Sequence, residues 1–376
     1  MGSGERLPSQ PARTPRAGHH RLVALASVAR TASQHATRSR ANPGGVADVT
    51  ALLGGRVEPF RARKPPWFKV PAPGGRRYRE LHALIDSERL HTVCQEAACP
   101  NIGECWQRGT ATFMILGDTC TRRCGFCNVK TGTPTWNDPL EPVRVARSVA
   151  RMGLRHAVIT SVDRDDLPDY GASAFVQVIR QIRRQAPGCR VEVLTPDFRG
   201  EEMPLAKVIA ERPDVFNHNV EVVPRLYPLA RRGSRWQRSL RVLRNAKALG
   251  GGEVITKSGL MVGLGETFEE LLDALGQLRA SGVQVLTVGQ YLRPTERHLP
   301  VVRYWHPDEF AAVERAAYAL GFEHVAAGPL VRSSYHADQH IAQPPSRPGS
   351  AAPSRASEAA AGVAAPAPIA GAAVRA

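Results

Sequence analysis

From Ala111 to Pro329 strand-like and helix-like stretches alternate without a break, and this alternation narrows the fold more than any other feature of the chain. The apolar runs "ATFMILGDT", "HAVITSV", "RVEVLTP", "VFNHNVEV", "EVITKSGLMVGL", "QVLTVGQYL" and "EHVAAGP" read as strands. Helical periodicity fills the gaps: around "EPVRVARSVARMG", over 172–184, 205–212 and 235–249, in "TFEELLDALGQL", and in a last stretch. Over 172–184, Phe175, Val178, Ile179 and Ile182 share one face. "TFEELLDALGQL" opens with a capping box of Thr267 and Glu270 and buries Phe268, Leu271, Leu272, Leu275 and Leu278. The last stretch uses Phe310, Val313, Ala317 and Leu320. Strands alternating with helices of this length mean βαβ units and a parallel sheet. About six units fall short of the eight of a closed barrel, so the expected fold is α/β, a partial (β/α)6 TIM-like barrel. An open doubly wound sheet is the alternative. No G-x-G-x-x-G follows the first strand, which argues against a dinucleotide-binding half. In parallel α/β folds chemistry sits at the carboxyl ends of the strands. The first such end runs into "GDTCTRRCGFCNV".

The flanks differ in composition. Residues 1–63 lack sustained periodicity and read as a disordered basic extension; residues 342–376 are an Ala/Pro-rich tail. The net charge of +16 would suit nucleic acid, but its location matters. Residues 1–64 carry eleven basic and three acidic side chains and residues 342–376 carry three and one, so +10 lies in the tails and +6 in the body. That weakens the case for a nucleic-acid groove and leaves no nucleic-acid partner expected. No apolar run reaches the roughly 18 residues of a membrane helix, so no membrane partner is expected either. Residues 1–46 are rich in Arg, Ser and Ala with Glu5 the only acid. They read as a compositionally biased extension of a cytoplasmic protein, with a mitochondrial or plastid transit peptide as the alternative.

Six of the seven cysteines lie between Cys94 and Cys127, in two triads. Cys120, Cys124 and Cys127 form C-x3-C-x2-C, with Phe126 directly before the last. Thiolates are the usual ligands of iron–sulfur clusters, and three of them can hold three irons of a cubane while the fourth stays open. The bland alternative is a zinc knuckle that borrows a histidine. Cys94, Cys99 and Cys105 form C-x4-C-x5-C, again three thiolates with no obvious fourth cysteine. His91 stands just before them in no recognisable zinc spacing, and Cys189 reads as an ordinary reduced cysteine.

The C-x3-C-x2-C spacing with its aromatic resembles the signature of the radical S-adenosylmethionine (SAM) superfamily. Both triads together with "TSVDRDDLPDYGA", "FNHNVEVV", "KSGLMVGLGET", "GQYLRPTERHLPV" and "GPLVRSSYHA" resemble the lipoyl synthase family, from about Lys64 to His340. The resemblance implies two [4Fe-4S] clusters and SAM as cofactors. It implies radical insertion of two sulfur atoms at C6 and C8 of an octanoyl group amide-linked to lysine of a lipoyl carrier domain. Cys120, Cys124 and Cys127 would hold the SAM-facing cluster. Cys94, Cys99 and Cys105 would hold an auxiliary cluster that is sacrificed as sulfur donor, with a serine of "RSSY" as its fourth ligand. That serine is carried over to Ser334, with Ser333 its neighbour. The implied partners are octanoylated carrier domains of 2-oxoacid dehydrogenase complexes, the glycine cleavage H protein, and an electron donor such as ferredoxin or flavodoxin. The chain then divides into the extension 1–63, an auxiliary cluster region 64–110, the barrel 111–330, an RSSY element 331–341 and the tail 342–376.

Weaker signals surround these. Ser161 and Asp163 lie at a strand's carboxyl end, where the amino and carboxylate groups of SAM need polar partners, although an acidic loop is often simply solvated. Asn219 and Glu221 alternate along one face of "FNHNVEV" and could point into the barrel. Gly263 and Gly265 in "GLGET" could approach SAM through the backbone, or simply form a strand-to-helix turn with an N-cap. His298 and Arg303 could face the substrate or solvent. The rivals are a biotin synthase-like enzyme, a tRNA methylthiotransferase-like enzyme and a zinc-stabilised nucleic-acid-binding protein.

Overall fold

The strands of the main sheet follow one another in chain order, which decides between the two architectures. The computed structural model describes residues 56–70, 73–88, 90–96, 99–335 and 337–339. Three helices, α1 (Arg76–Ser87), α2 (Val93–Glu96) and α3 (Ile102–Gln107), precede or flank the first pairing. There β1 (His91–Thr92) runs antiparallel to β2 (Thr110–Ile115). A separate parallel pair follows, β3 (Thr119–Cys120) with β4 (Lys130–Thr131). The βα series then continues through α4 (Glu141–Arg151), β5 (His156–Ser161), α5 (Ala172–Gln185), β6 (Arg190–Leu194), α6 (Glu202–Ala210) and β7 (Val215–Asn217). It ends through α7 (Tyr227–Ala230), α8 (Trp236–Leu249), β8 (Ile255–Val262), α9 (Phe268–Ala280), β9 (Val285–Gln290), α10 (Pro307–Leu320) and β10 (His324–Gly328).

The sheet order is β1-β2-β5-β6-β7-β8-β9-β10, parallel from β2 onward. A doubly wound sheet reverses at a switch point. Here no reversal occurs, and among the described residues β10 pairs with β9 alone. The result is a partial barrel of six βα units and a closing strand, as the alternation implied. β2 and β9 are buried along their whole length, which parallel strands covered on both faces require. Polar side chains that lie fully inside the wall include His156, Glu192, Asn217 and Lys257.

Local expectations hold with small differences. Phe175, Val178, Ile179 and Ile182 are buried on α5, and the capping box of Thr267 and Glu270 opens α9. On α9 Phe268 and Leu272 are only half-buried, Phe268 at the helix start, stacked on Trp305. Leu320 is likewise half-buried at the end of α10. The expected strand "VFNHNVEV" is cut short. β7 stops at Asn217, and beyond it only Glu221 bridges to Leu260, with φ of +69° at Glu221. Asn219 and Glu221 therefore do not alternate along one strand face, because a left-handed residue breaks the pleat.

Residues 56–63, assigned from the sequence to the extension, lie on the body. Glu58 N–H donates to the Val301 carbonyl at 2.7 Å, and Arg293 sits over the Phe60 ring. Residues 1–55 of that extension and the tail from residue 342 lie outside the described residues. Among the described residues no helix is long and apolar enough to cross a membrane.

Candidate active site

The cysteine loop leaves β2 at the carboxyl end of the barrel and is pinned on several sides. Gly132 N–H donates to the Cys120 carbonyl, closing the loop where β3 meets β4, and Cys127 N–H turns back to the Cys124 carbonyl. Thr121 donates to the Asp163 carbonyl through both N–H and Oγ1, at 3.0 and 2.9 Å, and its Oγ1 accepts from Asp165 N–H. Between the first two cysteines the buried Arg122 reaches three carboxylates, Asp163 at 3.3 Å, Asp165 at 2.7 Å and Asp197 at 2.8 Å. Gly125 N–H donates to the Ala230 carbonyl, and its own carbonyl accepts from Leu299 N–H. A Cβ at Gly125 would meet Leu299 at 2.9 Å, so this three-way approach requires glycine. Nε2 of His298 lies 2.9 Å from the Cys127 carbonyl. His298 thus braces the loop, while Arg303 pairs with Glu309 and lies over Trp305.

Burial keeps these thiols protonated. It pushes Cys120 upward, Cys124 to about 12 and Cys127 to about 11. A metal centre here must displace those protons, since thiolates are the ligands. Phe126 is half-buried against the core.

The second triad lies beside the first. Cys94 is on α2, Cys105 on α3 and Cys99 between them, where Cys99 N–H donates to the Cys94 carbonyl. Burial raises Cys94 to about 11. Asn128, next to Cys127, donates its side-chain N–H to the Glu96 carbonyl at 3.2 Å, tying the two triads together. The C-terminal segment closes over α3. Asn101 Nδ2 donates to the Leu330 carbonyl at 2.6 Å, Arg108 pairs with Asp338 at 3.2 Å, and Tyr335 OH donates to Glu104 at 3.3 Å. Burial raises Cys99, and the charge of Arg332 counteracts it. Ser333 and Ser334, both half-buried, are thus bracketed by residues that reach Cys99 on one side and α3 on the other. His91 pairs with Glu96, and Cys189 lies apart at the start of β6. Among the described residues no three His, Cys, Asp or Glu side chains converge on one ion-sized point. Thiolates on separate irons of a cubane need not converge so.

Three neighbouring strands end in polar atoms without partners. Ser161 Oγ at the end of β5, Thr195 Oγ1 just past β6 and Asn219 Oδ1 past β7 are buried and unbonded. Such orphans are costly unless a ligand satisfies them. Asp163 Oδ2 lies 3.9 Å from Cys120 Sγ; burial pushes this carboxyl up and Arg122 pulls it down. Burial also raises Glu221. The buried Arg231 donates to Tyr227 OH and Ser239 Oγ, both at 3.0 Å. The glycines of "GLGET" are occupied: Glu266 accepts from Gly263 N–H and Leu264 N–H, and the Gly265 carbonyl accepts from Arg225. A Cβ at Gly259 would meet Asn219 Oδ1 at 2.9 Å, so this glycine keeps the Asn219 side of the barrel open.

Residues 114–278 match the model of the radical SAM superfamily. A lipoyl synthase from Rubrobacter xylanophilus is 58% identical over 290 residues, covering 77% of this chain and 90% of that protein. The chain belongs to the lipoyl synthase family. Lipoyl synthases from Thermus thermophilus and Laribacter hongkongensis are 55% and 54% identical, covering 90% and 93% of those proteins and 77% of this chain. Membership in the lipoyl synthase family sets aside the biotin synthase-like, methylthiotransferase-like and zinc-protein alternatives.

The sequence missed four residues of this lipoyl synthase fold that the geometry brings to the site: Arg122, Asp197, Arg231 and Glu266. Arg122 carried a signal, since a long cation between two thiols of a triad needs a reason. Asp197 meets Arg122 only through a distant segment, whereas Arg231 and Glu266 bond to near neighbours, Tyr227 and Ser239 for the one, Gly263 and Leu264 for the other.

Proposed function

We propose that the chain inserts sulfur at C6 and C8 of an octanoyl group amide-linked to lysine of a lipoyl carrier domain. Such carriers include those of 2-oxoacid dehydrogenase complexes and the glycine cleavage H protein. One observation carries this: the cysteine triad on the loop after β2 is joined, through Asn128 and Glu96, to the second triad on α2 and α3. The donor set fits iron–sulfur clusters, since each triad offers three thiols and the neighbouring strand ends carry unbonded buried oxygens.

When bound, a [4Fe-4S] cluster on Cys120, Cys124 and Cys127 and a second on Cys94, Cys99, Cys105 and Ser334 supply, with an electron from ferredoxin or flavodoxin, the SAM-derived radical and the sulfur. The chain's own residues do the rest. Thr121, Arg122 and Asp163 hold the first loop against the barrel, and Phe126 shields it from water. Ser161, Asp163, Asn219 and Glu221 face the polar groups of SAM. Gly263 spends its N–H on Glu266, and Gly265 is held through its carbonyl by Arg225. Ser334 would offer the auxiliary centre a hard oxygen beside three soft thiolates, and so the weakest of its four ligands. In domain terms, 64–110 and 331–341 form the auxiliary region and 111–330 the barrel. Its place is the cytoplasm.

Anaerobic reconstitution tests this. About eight irons with matching sulfide per chain are expected. Replacing Cys120, Cys124 and Cys127 by Ala should halve the iron and abolish SAM cleavage. Replacing Cys94, Cys99 and Cys105 should halve the iron, keep SAM cleavage and abolish lipoyl formation. Zinc without sulfide would overturn the proposal.

A further inference from the structure

Three segments meet at Gly125, and their charge is lopsided. Gly125 bonds to Ala230 on one side and Leu299 on the other. The stretches 122–125, 230–235 and 293–299 contain seven arginines and one carboxylate, Glu296. Arg122 and Arg231 turn inward and are buried. Arg293 is half-buried over the Phe60 ring. The remaining four, Arg123, Arg232, Arg235 and Arg297, are exposed, and among the described residues no carboxylate pairs with them. The exposed arginines elsewhere on the body include pairs such as Arg180 with Glu211 and Arg225 with Glu270.

Arg123 is the sequence neighbour of the half-buried Cys124, and the segments that carry Arg232, Arg235 and Arg297 bond to the cysteine loop at Gly125 through Ala230 and Leu299. Resting on the sulfur-insertion activity proposed above, the location has a consequence. An octanoyl chain on a lysine arm has a finite reach, so the carrier domain must settle on whatever surrounds the mouth of the site. Guanidinium groups pair best with carboxylates, often in bidentate geometry, and unpaired charges of one sign steer an oppositely charged partner into register.

We propose that Arg123, Arg232, Arg235 and Arg297 form the docking rim for an acidic face of the carrier domain, next to its octanoyl-lysine. The rim selects the protein partner and takes no part in the chemistry on the acyl chain.

The test uses the reconstituted holoenzyme with both clusters and the double variant R232E/R297E, which leaves the cysteine loop untouched. Two substrates are compared, an octanoylated carrier domain and a short neutral peptide bearing octanoyl-lysine. The variant should raise KM for the carrier by about tenfold or more and flatten its salt dependence. Peptide kinetics and SAM cleavage should stay as in the parent. An unchanged KM for the carrier would overturn the proposal. Equal loss on carrier and peptide would overturn it too, because the arginines would then serve the reaction itself. A parent that forms no lipoyl product from either substrate would instead count against sulfur insertion.

Discussion

Lys257→Met tests whether the barrel wall depends on a buried ion pair. Lys257 Nζ lies 2.9 Å from Glu192 Oε1 and 3.2 Å from Oε2, and both side chains are fully buried. His156 Nε2 at 3.3 Å and Asn217 Nδ2 at 3.0 Å complete the surroundings of the carboxylate. At 2.9 Å and an effective dielectric constant of about 20, the direct attraction is about 6 kcal/mol. Desolvating two ions offsets most of that, so the pair as a whole contributes little net stability. Removing one partner is another matter. It strands Glu192 in the wall, at a cost of about 3–5 kcal/mol. Methionine keeps the length and loses the charge. Urea unfolding of the metal-free, thiol-reduced protein should show the midpoint falling by about 1–2 M, with m near 3 kcal/mol per molar. Adding Glu192→Gln should return most of the loss, because the neutral amide no longer needs a cation. Acidification gives an independent check. Burial alone would push the Glu192 carboxyl up, but Lys257, with His156 behind it, holds it at about 2 against an ordinary 4.5. The parent's stabilisation is therefore full above 4.5 and is lost as pH falls towards about 2. In the Lys257→Met protein the carboxyl moves above 4.5 instead, so acid protonates it and relieves the penalty. The gap between parent and variant should narrow as pH falls from neutrality. A single variant that costs less than about 1 kcal/mol, or a double variant no better than the single, would refute this account.

Two further outcomes are expected. Ser334→Cys should slow lipoyl formation by at least about tenfold while SAM cleavage persists, and Ser333→Ala should change neither; single-turnover assays of both products decide it, and normal turnover by Ser334→Cys would exclude Ser334 as the labile ligand. Gly263→Ala should destabilise the metal-free protein by about 1–3 kcal/mol. Its φ is +101° and the new Cβ would run into the Gln290 amide and lie 2.7 Å from the Arg303 carbonyl. Thermal unfolding should move by roughly 2–4 °C per kcal/mol, and an unmoved midpoint would mean the turn is softer than it looks.

Much of this molecule was legible in order. Apolar runs of parallel-strand character and helical faces such as that of Phe175, Val178, Ile179 and Ile182 report local periodicity, and periodicity is a property of neighbours in sequence. The cysteine spacings are local in the same sense, which is why both triads could be read directly. The capping box of Thr267 and Glu270 spans a single helical turn and was readable too. The failures are equally local in cause. Asn219 and Glu221 looked like one strand face because nothing in "FNHNVEV" announces a left-handed residue at Glu221.

The tertiary structure alone decided what meets at a distance. Arg122 gathers carboxylates from the ends of two strands, and Arg332 reaches Cys99 across more than two hundred residues. Glu192 finds Lys257 across the wall. By contrast, Gly263 spends its N–H on Glu266 within a single turn, a local contact. Sequence spacing specifies which groups are available along a turn or a strand. Which buried charge is compensated, and by what, depends on the packing that removes water from around it.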